Sequence, residues 1–321
     1  MTVHTFKSEA LARGARMLRT ALGADVAAWL EDPAVVEVML NPDGRLWVDR
    51  LCEGLADTGE ELSAADGERI VRLVAHHIGA EVHAGSPRVS AELPGTGERF
   101  EGLLPPVVAA PVFAIRKPAV AVFTLEDYVR AGIMPDDAAA ALCDAITSRA
   151  NILVAGGTST GKTVTARKIL SFVPSDERII TIEEAAELRP TQPNVVTLMS
   201  DRDEATRSAD VLLTSTLRMR PDRIVLGEVR GKEAMTFLEA INTGHGGSLT
   251  TLHAETPQLA VQRLAIAALK TDVPMTYQDM NVYITRSIDV IIQAGRHEGA
   301  RGITEFYLPV DPTHSKETAH V

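Results

Sequence analysis

Two patterns of apolar and polar positions divide this chain. Across the first third, short strand-like runs at Val35–Leu40 and Leu46–Val48 flank Asn41-Pro42-Asp43-Gly44, which is strong turn chemistry. Further runs at Val89–Leu93, Arg99–Leu103 and Val112–Arg116 follow, with a Pro94-Gly95-Thr96-Gly97 turn in the first gap. Helical spacing of apolar residues covers Ala10–Leu30 and Ala64–His77, the second stopping near Gly79. This predicts an α+β unit with a mostly antiparallel sheet. Lys117–Thr124 reads as its exit, and Leu125–Gly132 and Asp136–Arg149 as helices, with Pro135 opening the second.

After Ala150 the pattern becomes strands alternating with helices, which predicts a parallel α/β sheet. The predicted strands are Ile152–Ala155, Ile179–Ile182, Val195–Leu198, Ile224–Leu226 and Ser248–Leu252. Val290–Gln293 and Thr304–Leu308 form a late hairpin around the Gly295–Gly302 loop, and the polar tail Pro309–Val321 is expected to fray. The boundary falls at residues 1–120 for an N-terminal α+β domain and 121–321 for a larger α/β domain.

Composition narrows the classes. The chain has 321 residues, enough for about two domains, and 45% of them are apolar. Its net charge of −11 argues against non-specific nucleic-acid binding, which needs basic surface. Cys52 and Cys143 make neither a metal spacing nor a disulfide framework, which fits a reducing cytosol. The polar start, Met1–Glu9, is no secretory signal, and no apolar run reaches membrane-spanning length. Arg13, Arg16 and Arg19 sit on the first helix, so it reads either as a solvated surface helix or as one resting on an acidic membrane. His76, His77 and His83 lack an acid or cysteine to complete a metal set and read as structural.

Residues 156–163, Gly156-Gly157-Thr158-Ser159-Thr160-Gly161-Lys162-Thr163, fit G-x-x-x-x-G-K-[ST], the phosphate-binding P-loop. Glycines let backbone N–H groups close round phosphate oxygens. In this motif Lys162 reaches the β- and γ-phosphates, Thr163 holds Mg²⁺, and the helix that follows, Gly161–Phe172, points its positive end at the same anion. The apolar run Asn151–Ala155 supplies the strand that the motif requires.

Polar groups then cluster at the C-terminal ends of the predicted strands, the edge where open parallel sheets bind ligands. Arg223-Ile224-Val225-Leu226-Gly227-Glu228 is an apolar strand closing on an acid, the Walker-B arrangement. Glu228 can position Mg²⁺ through water or polarise the attacking water as general base. Glu183 and Glu184 cannot both face a phosphate, so Glu183 is assigned to Mg²⁺ and water and Glu184 to capping the next turn. His253 ends Gly244–His253, where a histidine can sense a γ-phosphate while the glycines supply a mobile turn. Arg99 and Arg116 lie on first-domain strands; by residue chemistry they are ordinary surface arginines or groups that stabilise phosphoryl charge.

Together these boxes resemble the secretion ATPase superfamily of type II and type IV systems, with TrbB-type conjugal transfer ATPases the closest in look. The carriers are the P-loop, T-I-E-E-A-A-E-L (181–188), L-R-M-R-P-D-R-I-V-L-G-E-V-R-G (217–231) and T-G-H-G-G-S-L-T-T-L-H-A (243–254). L-P-G-T-G-E-R (93–99), P-P-V (105–107) and A-I-R-K-P (114–118) add to them, so the likeness runs from about Trp29 to about Arg296. The resemblance implies a RecA-like P-loop NTPase domain behind a smaller α+β domain, with ATP and Mg²⁺ bound between the two. It implies Mg²⁺-dependent hydrolysis by a cytoplasmic homo-hexamer that serves inner-membrane secretion or conjugation components, with peripheral contact at the inner face of that membrane. By position Glu228 is the Walker-B acid, Glu183 the acidic-box acid and His253 the histidine-box member, and Arg99 and Arg116 reach the phosphates. Glu184 departs from the family, where Asp is usual, and so does Val164, where Thr is common. A pilus assembly or retraction motor of the same superfamily is one rival, and a DNA-stimulated helicase-like ATPase is another.

Overall fold

The computed structural model describes residues 3–51, 53–94, 97–118, 136–202, 204–297 and 300–309. The chain divides into two compact units, Met1–Ala121 and Val122–Val321.

In the first unit, α1 (Val3–Glu31) is interrupted at Gly23, whose φ of 85° is outside the helical range. Beyond it come β1 (Val35–Leu40), β2 (Arg45–Arg50), β3 (Gly54–Glu61), α2 (Ala64–His77), β4 (Arg88–Glu92), β5 (Arg99–Leu103) and β6 (Val112–Arg116). The six strands form one sheet in the order β3-β2-β1-β6-β5-β4, every pair antiparallel. Alternate residues of the central strands, among them Val38, Val48, Phe100, Phe113 and Ile115, pack with Ile70, Val71 and Val74 of α2. Leu18, Leu22, Val26 and Leu30 bury one stripe of α1 in the same core at the four-residue spacing of a helix face. Ser63 starts α2 by accepting the Asp66 N–H, a side-chain cap that satisfies one orphan donor of the first turn.

Strand β3 is not visible as a hydrophobic pattern. It reads Gly-Leu-Ala-Asp-Thr-Gly-Glu-Glu, is mostly exposed and lies at the sheet edge, so no buried face imposes alternation. The predicted helix Leu125–Gly132 and the tail from 310 onward lie outside the described residues.

The second unit runs α3 (Asp136–Thr147), β7 (Ile152–Gly156), α4 (Lys162–Leu170), β8 (Ile179–Glu183), β9 (Val195–Met199), α5 (Ala209–Thr216) and β10 (Arg223–Leu226). It continues with α6 (Glu233–Asn242), β11 (Leu249–His253), α7 (Pro257–Ala268), α8 (Tyr277–Ser287), β12 (Val290–His297) and β13 (Ala300–Tyr307). Its sheet order is β13-β12-β7-β11-β10-β8-β9, parallel except for the β12–β13 hairpin. Residues of β7, β8 and β10 are buried throughout, as expected of strands covered on both faces. One face packs Leu153, Ile182 and Leu226 with Phe237, Leu264 and Ile284 of α6, α7 and α8. The other packs Val154, Val225 and Ile292 with Ile146 of α3 and Ile169 of α4. This two-faced burial fixes the strand ends, and with them the loops that carry the site.

Candidate nucleotide site

Strand β7 ends at Gly156, and the chain turns through 157–161 into α4. Two glycines are obligatory there for different reasons. A Cβ on Gly156 would sit 2.5 Å from both the Ala294 carbonyl oxygen and Thr160 Oγ1. Gly161 caps α4 with φ 96°, a conformation that costs a side-chain-bearing residue about 1–2 kcal/mol. Thr160 Oγ1 donates to the Gly157 carbonyl at 3.0 Å and closes the turn on itself. The loop therefore presents a tight backbone curve at a helix N-terminus, the geometry that accepts a phosphate.

The side chain of Lys162 is buried. Its Nζ donates to the Gly157 carbonyl at 2.6 Å and to His253 Nδ1 at 3.2 Å, across 91 positions of sequence. This contact follows from strand order: β11 lies beside β7 with His253 opposite Gly156. On its other side, His253 Nε2 lies 3.0 Å from Glu228 Oε1. A lysine ammonium has donors only, so Nδ1 must accept and the ring proton of the neutral imidazole sits on Nε2, the side that Glu228 approaches as an ion-pair neighbour. Lys162, His253 and Glu228 thus form one contiguous set, a hydrogen bond from Lys162 to His253 and an ion-pair contact from His253 to Glu228.

Glu228 is placed by β11 as well as by β10. Thr250 Oγ1 donates to the Leu226 carbonyl at 2.9 Å, Thr251 Oγ1 to the Gly227 carbonyl at 2.7 Å, and Val229 N to the Thr251 carbonyl at 2.9 Å. These bonds anchor both sides of the acid on the neighbouring strand. Its second oxygen, Oε2, is held in a close ion pair by Arg230. Arg230 also approaches Glu184 at 3.8 Å, and Glu184 is clasped by Arg202.

The turn after β8 is capped by Glu183 and not, as expected from the sequence, by Glu184. Glu183 is buried, and its Oε2 accepts the backbone N–H groups of Glu187 and Leu188, each at 2.9 Å. It is the residue that caps the turn. Glu184 is exposed and spends its charge on the two arginines. The physical reason is where β8 ends: Glu183 is its last residue, buried like the rest of a strand covered on both faces, and the next residue leaves the sheet into solvent. Burial pushes the Glu183 carboxyl above its ordinary value, an effect opposed by the Leu188 and Glu187 amides and by Thr181.

The glycine turn lies before β11, as the predicted strand Ser248–Leu252 already implies. Gly244–Gly247 precedes the strand, whereas His253 ends it, so about 13 Å of strand separates them. Gly247, at φ 85°, packs on Arg223; a Cβ there would lie 2.9 Å from its Nη1. The turn belongs to the structural edge of the sheet, away from the phosphate loop.

Arg99 and Arg116 belong to the first unit, where they stand directly opposite each other on β5 and β6. Glu92 faces Arg99 and Glu37 faces Arg116, so the two cations are bracketed by acids in one row across the sheet. Of the first-helix arginines, Arg19 pairs with Glu31 at 2.6 Å, while the side chains of Arg13 and Arg16 lie outside the described residues. Among the described residues no group of three or more His, Cys, Asp or Glu is arranged to hold a metal ion. A magnesium ion carried on phosphates needs few protein ligands, so Thr163 beside Lys162 suffices for that fit.

Two residues of the site escape sequence reading. Arg230 follows the Walker-B acid by two positions but resembles any exposed arginine. Gln293 is the polar residue in the apolar run Val-Ile-Ile-Gln-Ala of β12, a signal that could have been noticed. It is 6% exposed and lies opposite Ala155; its amide nitrogen donates to the Ala254 carbonyl at 3.1 Å, directly behind His253.

Residues 88–296 match the family described as Type II/IV secretion system protein. The chain is 41% identical over 295 residues to a probable conjugal transfer protein TrbB of Sinorhizobium fredii, covering 91% of this chain and 88% of that protein. It is 30% identical over 322 residues to the type IV secretion system protein VirB11 of Bartonella quintana, covering 88% and 90%. Among solved structures, the VirB11 ATPase of the Brucella suis type IV secretion system in complex with sulphate superposes with a TM-score of 0.51 at 29% identity, covering 94% of this chain and 96% of that one. The second unit has the RecA-like P-loop fold, the first is a smaller α+β unit, and the chain belongs to the type II/IV secretion system protein family.

Proposed function

We propose that this chain hydrolyses ATP with Mg²⁺ as one subunit of a hexameric motor that powers a type IV secretion or conjugal transfer apparatus. The observation that carries the reading is the linked set Lys162–His253–Glu228 at the C-terminal edge of a parallel sheet, beside a P-loop. Lys162 binds the phosphates, Glu228 takes the proton of the attacking water, and His253 answers to the terminal phosphate. Glu183, tied to the turn of 187–188, holds the acidic box in place and is at most an indirect partner of the metal. Bound Mg²⁺ supplies neutralising charge across the phosphates, with Thr163 as its protein ligand. Arg99 and Arg116 enter as phosphate-answering arginines on family resemblance alone, with the two units acting as two domains.

The conjugal reading is supported by the likeness to the TrbB protein, and the hexameric and inner-membrane readings by the resemblance to the secretion superfamily. No helix among the described residues is long and apolar enough to cross a membrane, so any contact with inner-membrane components is peripheral in this reading. Direct nucleic-acid binding is disfavoured by the net charge of −11.

The test is ATPase activity measured across a size-exclusion profile, with and without Mg²⁺, beside Lys162→Ala. Mg²⁺-dependent hydrolysis confined to a hexamer-sized peak and lost in the variant is the expected result. Equal activity in a stable monomer removes the ring, and stimulation by single-stranded DNA moves the assignment to a helicase-like ATPase.

A further inference from the structure

We infer that nucleotide binding makes His253 take up a proton, so that the ring changes from an acceptor for Lys162 into a double donor. The inference rests on the nucleotide reading above and deepens it. With Lys162 Nζ 3.2 Å from Nδ1 and Glu228 Oε1 3.0 Å from Nε2, the imidazole is held neutral with its hydrogen on Nε2. An imidazolium there would set two cations in contact on the Nδ1 side. The ring is two-thirds buried, so water screens that repulsion only in part.

The ammonium that keeps the ring neutral is the same one a P-loop offers to phosphate. When Lys162 turns to phosphate, Nδ1 loses its donor. The ring then stands between the Glu228 carboxylate and an anion, and both favour the charged form. A solvent proton adds to Nδ1; no covalent bond breaks, and His253 gains one positive charge. Nε2–H stays beside the Glu228 carboxylate, while Nδ1–H becomes a new donor.

The charged groups around this switch are Lys162 on α4, Glu228 beyond β10 and Arg230 on the second oxygen of Glu228. Glu184 lies beyond Arg230, and Glu183 stands at the end of β8. Lys162 is the member of this set that donates to the Nδ1 side of the ring and is also the P-loop lysine. His253 therefore reports the occupancy of the P-loop lysine to the acid that must handle water. Because binding consumes a proton, affinity falls as pH rises through the titration of the bound-state ring.

The experiment is calorimetric titration of the full chain with AMP-PNP and Mg²⁺ at one pH, in buffers of different ionisation heat. The slope counts protons, and His253→Gln removes the contribution of the ring while leaving that of the nucleotide phosphate. The wild type should take up roughly half to one proton more per site than His253→Gln. Equal proton counts in two binding-competent proteins overturn the inference.

If His253→Gln does not bind, ¹⁵N-imidazole NMR of the wild type decides. The resonance missing from the variant should report a neutral Nε2–H ring without nucleotide and an imidazolium with it. A neutral ring in both states, or an Nδ1–H tautomer without nucleotide, overturns the inference. Absence of any binding heat in the wild type removes the proposed function instead.

Discussion

The two edges of the parallel sheet both gather charged residues, but they hold them differently. At the N-terminal edge, Arg223 is nearly fully buried and grips Glu177 through two nitrogens at 2.5 and 3.1 Å. The same guanidinium donates to the carbonyls of Ile146 at 2.7 Å and Gly247 at 3.2 Å. Asn151 accepts the Gly247 and Ser248 amides and donates to the Ser287 carbonyl at 2.9 Å. The partners in this set are backbone groups and the Glu177 carboxylate, which Arg149 also approaches at 4.0 Å. At the C-terminal edge the links run side chain to side chain: Lys162 to His253, His253 to Glu228, Glu228 to Arg230, and Arg230 towards Glu184. Lys162, the P-loop lysine, is the link in this series for which a bound phosphate competes. One edge closes its charges to hold the sheet together, and the other keeps its lysine transferable, which is what a site that binds and releases an anion requires.

Breaking the closed edge should have the largest effect on folding. Arg223→Ala leaves the Glu177 carboxylate with little solvent and without its main partner, and should cost about 3–5 kcal/mol in a urea melt. Turnover per folded molecule should stay near the wild-type value. If stability is unchanged, the edge is not the structural lock described here.

Glu228→Gln should show the opposite profile. Hydrolysis should fall by about 10²–10⁴-fold, while ATP binding and the melting midpoint hold. Full turnover in this variant would remove Glu228 from the chemistry.

Gly247→Ala sharpens the contrast on a smaller scale. The residue has φ 85° and its new Cβ would press on Arg223, so a loss of about 1–2 kcal/mol is expected, again without loss of nucleotide affinity.

Glu183→Gln tests a charge that lies between the two classes. Its carboxyl is raised above the ordinary value of 4.5, chiefly by burial. A raised acid contributes its stability below the ordinary value and loses it as pH rises through the folded value. Glutamine stays neutral and can still accept the Glu187 and Leu188 amides. The variant should therefore match the wild type near pH 4 and equal or slightly exceed it at pH 7, read from melting midpoints at the two pH values. A variant less stable at pH 7 than at pH 4, relative to the wild type, would show that the ionised carboxylate is needed for the cap.

Much of this was legible before any coordinates, and the reasons are local. The P-loop is eight consecutive residues whose glycine positions are set by backbone geometry that only they can supply. Strands β7, β8 and β10 each carry a short, mostly apolar run because both of their faces are covered. The family boxes add their order along the chain. Strand β3 was not legible, because an exposed edge strand carries no hydrophobic period.

The amino-acid sequence by itself determined which residues are consecutive in a turn, which face of a helix is apolar and which strand ends are polar. Those properties depend on neighbours within a few positions. Tertiary structure alone decided that Lys162 meets His253, that Arg230 takes the second oxygen of Glu228, and that Glu183 rather than Glu184 caps the turn. It also packed the glycine turn against Arg223. These depend on the order β12-β7-β11-β10-β8 and on where β8 ends. A contact across 91 positions exists only once the intervening strands have chosen their neighbours in the sheet.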